Sequence, residues 1–305
     1  MYRKIKDLTV STVALGADGF GSWTRPELAE RLLDAYVDFG GNLIDTANVY
    51  GRWAGGNLSE QFLGDWMRRT GKRPIIATKG GHYDLKDPST PRLGAADIRR
   101  DLEESLRTLG LETLDLYWLH RDDPSRPVGE ILETMEIFVR EGKIRYYGAS
   151  NYRAERLAEA HVYARVHGLS GFMAASNQHS LARINPGRNL NPDPTLVICD
   201  KADLDYHRIT GLPLMPYQST ARGYFGKLAQ NAPISGAMQA AYGNDHNRAV
   251  FETLRARAEE EGCSVQTMAL VALTEENFPV VPITSVRRED HLQDIFDAMR
   301  RIKAD

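Results

Sequence analysis

Short runs of β-branched and aromatic residues alternate along the chain with longer segments of 3.6-residue periodicity, the pattern of repeated βα units around a parallel sheet. Eight strand candidates succeed one another: VALGADGF (13–20), NLIDTANVY (42–50), PIIATKGG (74–81), LDLYWLHR (114–121), IRYYGAS (144–150), GFMAASNQHS (171–180), LPLMPYQS (212–219) and PVVPITS (279–285). The clearest helix lies in DIRRDLEESLRTLG, where Ile98, Leu102, Leu106 and Leu109 recur at spacings of four, four and three with arginine and glutamate on the other face. Such a helix buries one stripe against a sheet. Thr24 with Glu27, and Asn57 with Glu60, have capping-box spacing at two further helix starts, and Gly40-Gly41 stops the first of these helices. Eight strands with eight intervening helices predict an α/β fold, a single (β/α)8 TIM barrel domain over residues 1–305. The runs YRKI and LTVS, split by Lys6-Asp7, add an N-terminal β-hairpin that could plug the barrel floor. Two stretches rich in Gly, Pro and Asn, 181–195 and 220–248, break the rhythm. Both follow strands, and they are predicted to be long loops on the C-terminal face, where barrel sites are built.

Composition narrows the function classes. With 38 basic against 41 acidic residues and a net charge of −3, the chain offers no electrostatic reason for nucleic acid or an anionic membrane as partner. A small-molecule substrate fits better. Only Cys199 and Cys263 are present, far apart and outside any CxxC spacing, so neither a disulfide framework nor a metal site can be read from them, and a cytoplasmic location is expected. The start MYRKIKDLTV turns polar before a signal-type apolar run forms, and no apolar stretch approaches the roughly 18 residues of a membrane span.

Four side chains carry the candidate chemistry. Asp45, Tyr50, Lys79 and His120 stand at or just beyond the ends of three successive strand candidates, so in a parallel barrel they converge at the C-terminal mouth. Reducing a ketone or aldehyde needs a hydride donor on the carbonyl carbon and a proton donor at its oxygen. Tyr50 can be the acid, Lys79 an ammonium expected to lower the phenol pKa, Asp45 the partner that keeps Lys79 charged, and His120 a hydrogen-bond donor to the carbonyl oxygen. Singly, each residue also suits a plain structural place: a loop cap, a rim filler, a solvated strand end, a core histidine. A strand-end lysine in a barrel can also form a Schiff base, which keeps a class I aldolase-like enzyme using Lys79 open as an alternative.

The words DTANVYG (45–51), NLSEQFLG (57–64), ATKGG (77–81), LDLYWLH (114–120), GKIRYYGASN (142–151), NQHSL (177–181) and VVPITSVRR (280–288) resemble, in order and spacing, the aldo-keto reductase superfamily over essentially the whole chain. The resemblance implies a (β/α)8 barrel that binds a nicotinamide cofactor, NADP with NAD as the alternative, and Tyr50 as acid supported by Asp45, Lys79 and His120. It further implies Ser150, Asn151 and Gln178 at the nicotinamide carboxamide and Tyr217 stacked on the nicotinamide ring. Gln218, Thr220 and Gly223 fall at the pyrophosphate and Ser285, Arg287 and His291 at the adenosine end, with Arg287 and Arg288 suited to a 2′-phosphate at the start of the last helix. The chain departs from the family where Gln218-Ser219-Thr220 replaces Ser-Pro-Leu, where His291 replaces an Arg or Gln, and where Asp294-Ile295 replaces a Glu-Asn pair. It ends soon after LQDIFDAMRRI, without the long tail that closes the pocket in many animal members, so a pocket that is more open, or covered by another element, is expected. Trp23, Trp53, Tyr83, Arg121, Asp122 and Tyr224 follow strand ends and are candidates to line it. Aromatic faces beside charged hydrogen-bonding groups suit a sugar or polyol-type carbonyl or alcohol. A cofactor-binding redox-sensing subunit, similar to the β subunits of potassium channels, is the non-enzymatic alternative.

Overall fold

The computed structural model describes residues 1–302. Strands β1 (Tyr2–Ile5) and β2 (Leu8–Ser11) form an antiparallel hairpin with Ile5 opposite Leu8. Seven parallel strands follow: β3 (Ala14–Gly16), β4 (Leu43–Asp45), β5 (Ile75–Gly80), β6 (Leu114–Leu119), β7 (Ile144–Ser150), β8 (Ala175–Ser176) and β9 (Ile283–Thr284), ordered β8-β7-β6-β5-β4-β3-β9. The segment LPLMPYQS closes this curled sheet into a (β/α)8 barrel, with Leu214 bridging Ala175 on one side and Val280 on the other.

The closing strand is predicted as a full run but is reduced to isolated bridges, and proline explains why. Pro213, Pro216, Pro279 and Pro282 have no amide hydrogen to give to the ladder. Their carbonyls still accept, from Ala175 (2.9 Å), Ile283 (2.8 Å), Leu214 (2.9 Å) and Ala14 (2.9 Å) respectively, and Met215 N to Ala175 O (2.8 Å) and Val281 N to Leu214 O (2.9 Å) complete the seam.

Ile5, Leu8 and Val10 of the hairpin share a buried cluster with Leu43, Ala77, Leu116, Trp118, Met215 and Val281 from the strands, so the hairpin caps the barrel interior as expected. A second layer lies between sheet and helices. In the helix Ala95–Leu109 the predicted stripe Ile98, Leu102, Leu106 and Leu109 is buried, and truncating Leu102 there to Ala should cost about 2–5 kcal/mol.

Local predictions fared unevenly. Neither expected capping box forms: the helix Pro26–Asp38 starts at its proline after Arg25, leaving Thr24 outside, and Asn57 gives its side-chain amide to the Glu60 carboxylate (2.8 Å) instead of capping a backbone amide. A true capping box, Asp200 with Asp203, starts the helix Lys201–Thr210. The stretch 181–195 has neither helix nor strand, but 220–248 is not the long loop expected. It holds helices Tyr224–Ala229 and Gly236–Tyr242 and the start of Asp245–Glu261. Tyr224, Phe225, Met238, Ala241 and Tyr242 bury themselves there with Met268 and Leu270 in a separate core. Most of its glycines and asparagines, Gly223, Asn231, Gly236, Gly243 and Asn244, sit at or beside helix ends, so the segment reads as irregular.

Candidate active site

β4 ends at Asp45, and the chain beyond it remains tied to β5 through Thr46 N to Ala77 O and Asn48 N to Lys79 O, both 2.9 Å. It then turns at Gly51, whose φ of 96° and approach to Leu58, 2.6 Å from where a Cβ would stand, admit only glycine. This turn brings Tyr50 back over the end of β5. Lys79 Nζ donates to Asp45 Oδ1 at 2.5 Å, to the Thr46 carbonyl at 2.8 Å and to the Tyr50 hydroxyl at 3.5 Å. The Tyr50 ring meets the His120 ring edge-on, with centroids 5.7 Å apart. The four residues named from the sequence are therefore one cluster, and Asp45, Lys79 and His120 are buried.

Burial governs its electrostatics. It pushes Asp45 up and Lys79 down, with the attraction between the two opposing both shifts. Tyr50 lies well above the ordinary phenol value, first from burial and then from the charges of Asp45 and Asp18. The expected lowering of this phenol by Lys79 is not found: the cost of burying a phenolate comes first, joined by the two carboxylates, and only the Arg121 charge opposes it. Burial, then the Arg121 charge, holds His120 far below the usual imidazole value, so it is neutral. Its Nδ1 is buried and has no hydrogen-bond partner among the described residues. A sealed, unpaired N–H is the rarer arrangement, which puts the proton on Nε2, the ring nitrogen left to meet a substrate.

Around the mouth the candidate lining residues separate. Arg121 donates Nε to Thr195 Oγ1 (2.8 Å), Nη1 to the His120 carbonyl (2.9 Å) and Nη2 to Asp193 (3.3 Å), and Tyr83 gives its hydroxyl to the same Asp193 (2.9 Å). The guanidinium also sits over the Tyr83 ring at 5.6 Å. Asp193 thus ties the 181–195 segment to the barrel. Trp23 and Trp53 stack with centroids 5.1 Å apart and 13° between planes, yet remain 62% and 53% exposed. Tyr224 does not line the mouth but packs against Tyr242 in the separate core, since the helix it starts turns it inward. Asp122 also turns away, pairing with Arg156 at 3.2 Å.

The residues named for a dinucleotide meet its chemistry in part. A carboxamide needs both donors and acceptors, and Gln178 Oε1 is a buried acceptor with no partner among the described residues. Asn151 is already committed: Nδ2 donates to His120 O and Ser150 Oγ, and Oδ1 accepts from Val197 N and the Tyr217 hydroxyl (2.6 Å). It holds Tyr217 and Ser150 in place. Ser150 Oγ in turn donates to the Ser176 carbonyl at 2.8 Å. Past Tyr217, Gln218, Ala221, Arg222 and Gly223 all have positive φ, a concentration of left-handed backbone in which Ala221 N and Gly223 N donate to the Gln218 and Thr220 carbonyls, both at 2.9 Å. Ser219 anchors this loop to the Ile283 carbonyl at 2.5 Å, and Thr220 lies within it.

The adenosine end fits less closely. Ser285, Arg287 and Arg288 precede the last helix, Glu289–Ile302, rather than opening it. Ser285 Oγ donates to Gly16 O and Asp18 Oδ1, both at 3.2 Å. Arg288 pairs with Asp290, while Arg287 and His291 are exposed. Asp294 accepts from Ser264 N (3.1 Å) and Thr267 Oγ1 (2.6 Å), and Ile295 is buried, so the departure from the family's Glu-Asn pair serves helix packing.

Sequence reasoning missed Asp18, His82, Asp193 and Thr195. His82 and Asp18 could have been found, each standing a few residues past a strand end facing the mouth. Asp193 lies in a stretch with no periodicity, and only the fold brings it to Arg121.

The sequence matches the Aldo/keto reductase family over residues 12–305. Among similar proteins are a norsolorinic acid reductase of Emericella nidulans, 29% identical over 94% of this chain and 73% of its own length. An aryl-alcohol dehydrogenase [NADP(+)] of Phanerodontia chrysosporium is 27% identical over 96% of this chain and 79% of its own. The fold is similar to the crystal structure of a thermostable aldo-keto reductase solved with the inhibitor epalrestat, with a TM-score of 0.71 at 23% identity, covering 98% of this chain and 94% of that one.

Proposed function

Because the chain belongs to the aldo/keto reductase family, and is thus an NAD(P)H-dependent oxidoreductase, we propose that it interconverts a carbonyl compound and its alcohol with Tyr50 as general acid and base. The observation that carries this is the single ammonium of Lys79 reaching both Asp45 and the Tyr50 hydroxyl beside His120. A reduced nicotinamide supplies the hydride when bound. Gln178 offers it a free acceptor, Tyr217 a ring face, and the 218–223 loop a cradle for its phosphates.

The raised pKa keeps Tyr50 protonated at neutral pH, the form that reduction requires. As the phenol gives its proton to the carbonyl oxygen, the nascent phenolate lies next to Lys79, whose charge Asp45 maintains. His120, neutral with its proton on Nε2, donates to the same oxygen and fixes its position. The Schiff-base alternative needs an amine free to reach a carbonyl, whereas Lys79 already donates to three oxygens. NADP is favoured by the exposed Arg287 and by the Phanerodontia relative, an aryl-alcohol dehydrogenase [NADP(+)], with NAD as alternative.

For the substrate, the polar group of Tyr83, Arg121 and Asp193 together with the exposed Trp23 and Trp53 indoles supports a sugar or polyol-type compound. An aromatic carbonyl is the second reading, favoured by the exposed Trp23–Trp53 stack and by relatives named for aryl alcohols and norsolorinic acid. Nicotinamide absorbance followed over a panel of hydroxylated and aromatic carbonyls tests both. Multiple turnovers are expected, and bound cofactor without turnover on any member would favour the redox-sensing alternative.

A further inference from the structure

His82 follows the glycine pair after Lys79 and is 93% buried at the mouth, 7% of its surface remaining exposed. Its ring stands edge-on to that of His120, centroids 4.9 Å apart, so it flanks the position beside the reacting oxygen rather than the oxygen itself. Its Nδ1 lies 3.1 Å from the Tyr83 carbonyl. A carbonyl accepts only, so the proton sits on Nδ1 and Nε2 carries a lone pair. Burial and the Arg121 charge press the His82 pKa down to about 4, which keeps the ring neutral and Nε2 an acceptor. Nε2 has no hydrogen-bond partner among the described residues.

The Asp193 carboxylate nearby is already engaged. Asp193 Oδ2 takes the Tyr83 hydroxyl and Arg121, and Oδ1 takes Thr195 N (2.9 Å) and Thr195 Oγ1 (2.6 Å). The mouth therefore presents two neutral imidazoles of opposite character: His120 offers a hydrogen to a carbonyl oxygen, and His82 offers a lone pair one ring away. A hydroxyl on the carbon next to a carbonyl has the matching pattern, an acceptor followed by a donor.

We propose that His82 accepts a hydrogen bond from a hydroxyl on the carbon adjacent to the reacting carbonyl, so that the site selects α-hydroxy aldehydes and ketones, and vicinal diols in the reverse direction. This rests on the carbonyl-reducing function proposed above. The position is a specificity determinant, because it touches the substrate away from the bond that changes.

The test is a matched pair, lactaldehyde and propanal, which differ by that hydroxyl. The wild-type kcat/KM should favour lactaldehyde by about ten- to a hundredfold, the range for satisfying or stranding one buried polar group. His82→Phe should bring the ratio toward one, and His82→Gln, whose amide oxygen can accept, should keep much of it. A merely structural histidine would lower both substrates together and leave the ratio unmoved, which overturns the proposal, as does a wild type without preference. Turnover of neither aldehyde nor any other carbonyl by the wild type would instead overturn the function on which it rests.

Discussion

Replacing Asp45 by Asn tests the buried ion pair from which the chemistry is built. Asp45 and Lys79 expose only 5% and 3% of their side chains, with Nζ and Oδ1 2.5 Å apart. Asn keeps the size but removes the charge, and breaking a buried pair from one side leaves the other charge uncompensated at a cost of about 3–5 kcal/mol. Burial already presses the Lys79 pKa below 10.5. Without Asp45 it should fall further, and the folded variant then binds fewer protons than the unfolded chain from that lowered pKa up to about 10.4. In that window stability rises with pH, because unfolding takes up a proton. Urea unfolding of the cofactor-free protein from pH 6 to 9 should show Asp45→Asn weaker than wild type by that amount at the acid end and recovering toward the alkaline end. Adding Lys79→Met removes the stranded ammonium and should restore part of the loss with no such slope. An Asp45→Asn variant as stable as wild type and flat with pH would refute the reasoning.

Other outcomes follow from the same geometry. Because Tyr50 is held protonated, reduction should change little across neutral pH while alcohol oxidation, which needs the phenolate, climbs as pH rises; oxidation fastest at acid pH would contradict this. Glu60 is buried with its pKa raised from 4.5 to about 7, so stability should fall as pH rises between those values, and Glu60→Gln should flatten that dependence in thermal unfolding scans. Asp193→Ala frees Tyr83 and Arg121, and hydrogen exchange over 181–195 should speed up while exchange in β5 does not. Arg287→Ala should weaken NADP more than NAD in binding titrations, equal losses arguing against a 2′-phosphate there.

The barrel was legible because its strands and helices carry strong periodicities, as the buried stripe Ile98, Leu102, Leu106 and Leu109 shows. Proline hid the closing seam, where Pro213, Pro216, Pro279 and Pro282 contribute only their carbonyls. The helices after Tyr224 were obscured by the glycines and asparagines at their ends. In the site, position was legible and electrostatics was not. Asp45, Tyr50, Lys79 and His120 come together as their places at strand ends required. The direction of the Tyr50 pKa depends on how completely the pocket closes, which no local pattern encodes. Asp193 and Tyr83 are 110 residues apart, so their contact belongs to the fold rather than to any motif.

The central claim is that the Tyr50 hydroxyl is the proton donor, and Tyr50→Phe isolates it by removing the oxygen and keeping the ring. With NADPH binding measured by fluorescence titration and carbonyl reduction by nicotinamide absorbance on one preparation, binding should stay within a few-fold of wild type. Turnover should fall by about 10²–10⁴-fold, the usual contribution of a positioned general acid. Turnover near the wild-type rate in that variant would show that the proton comes from elsewhere.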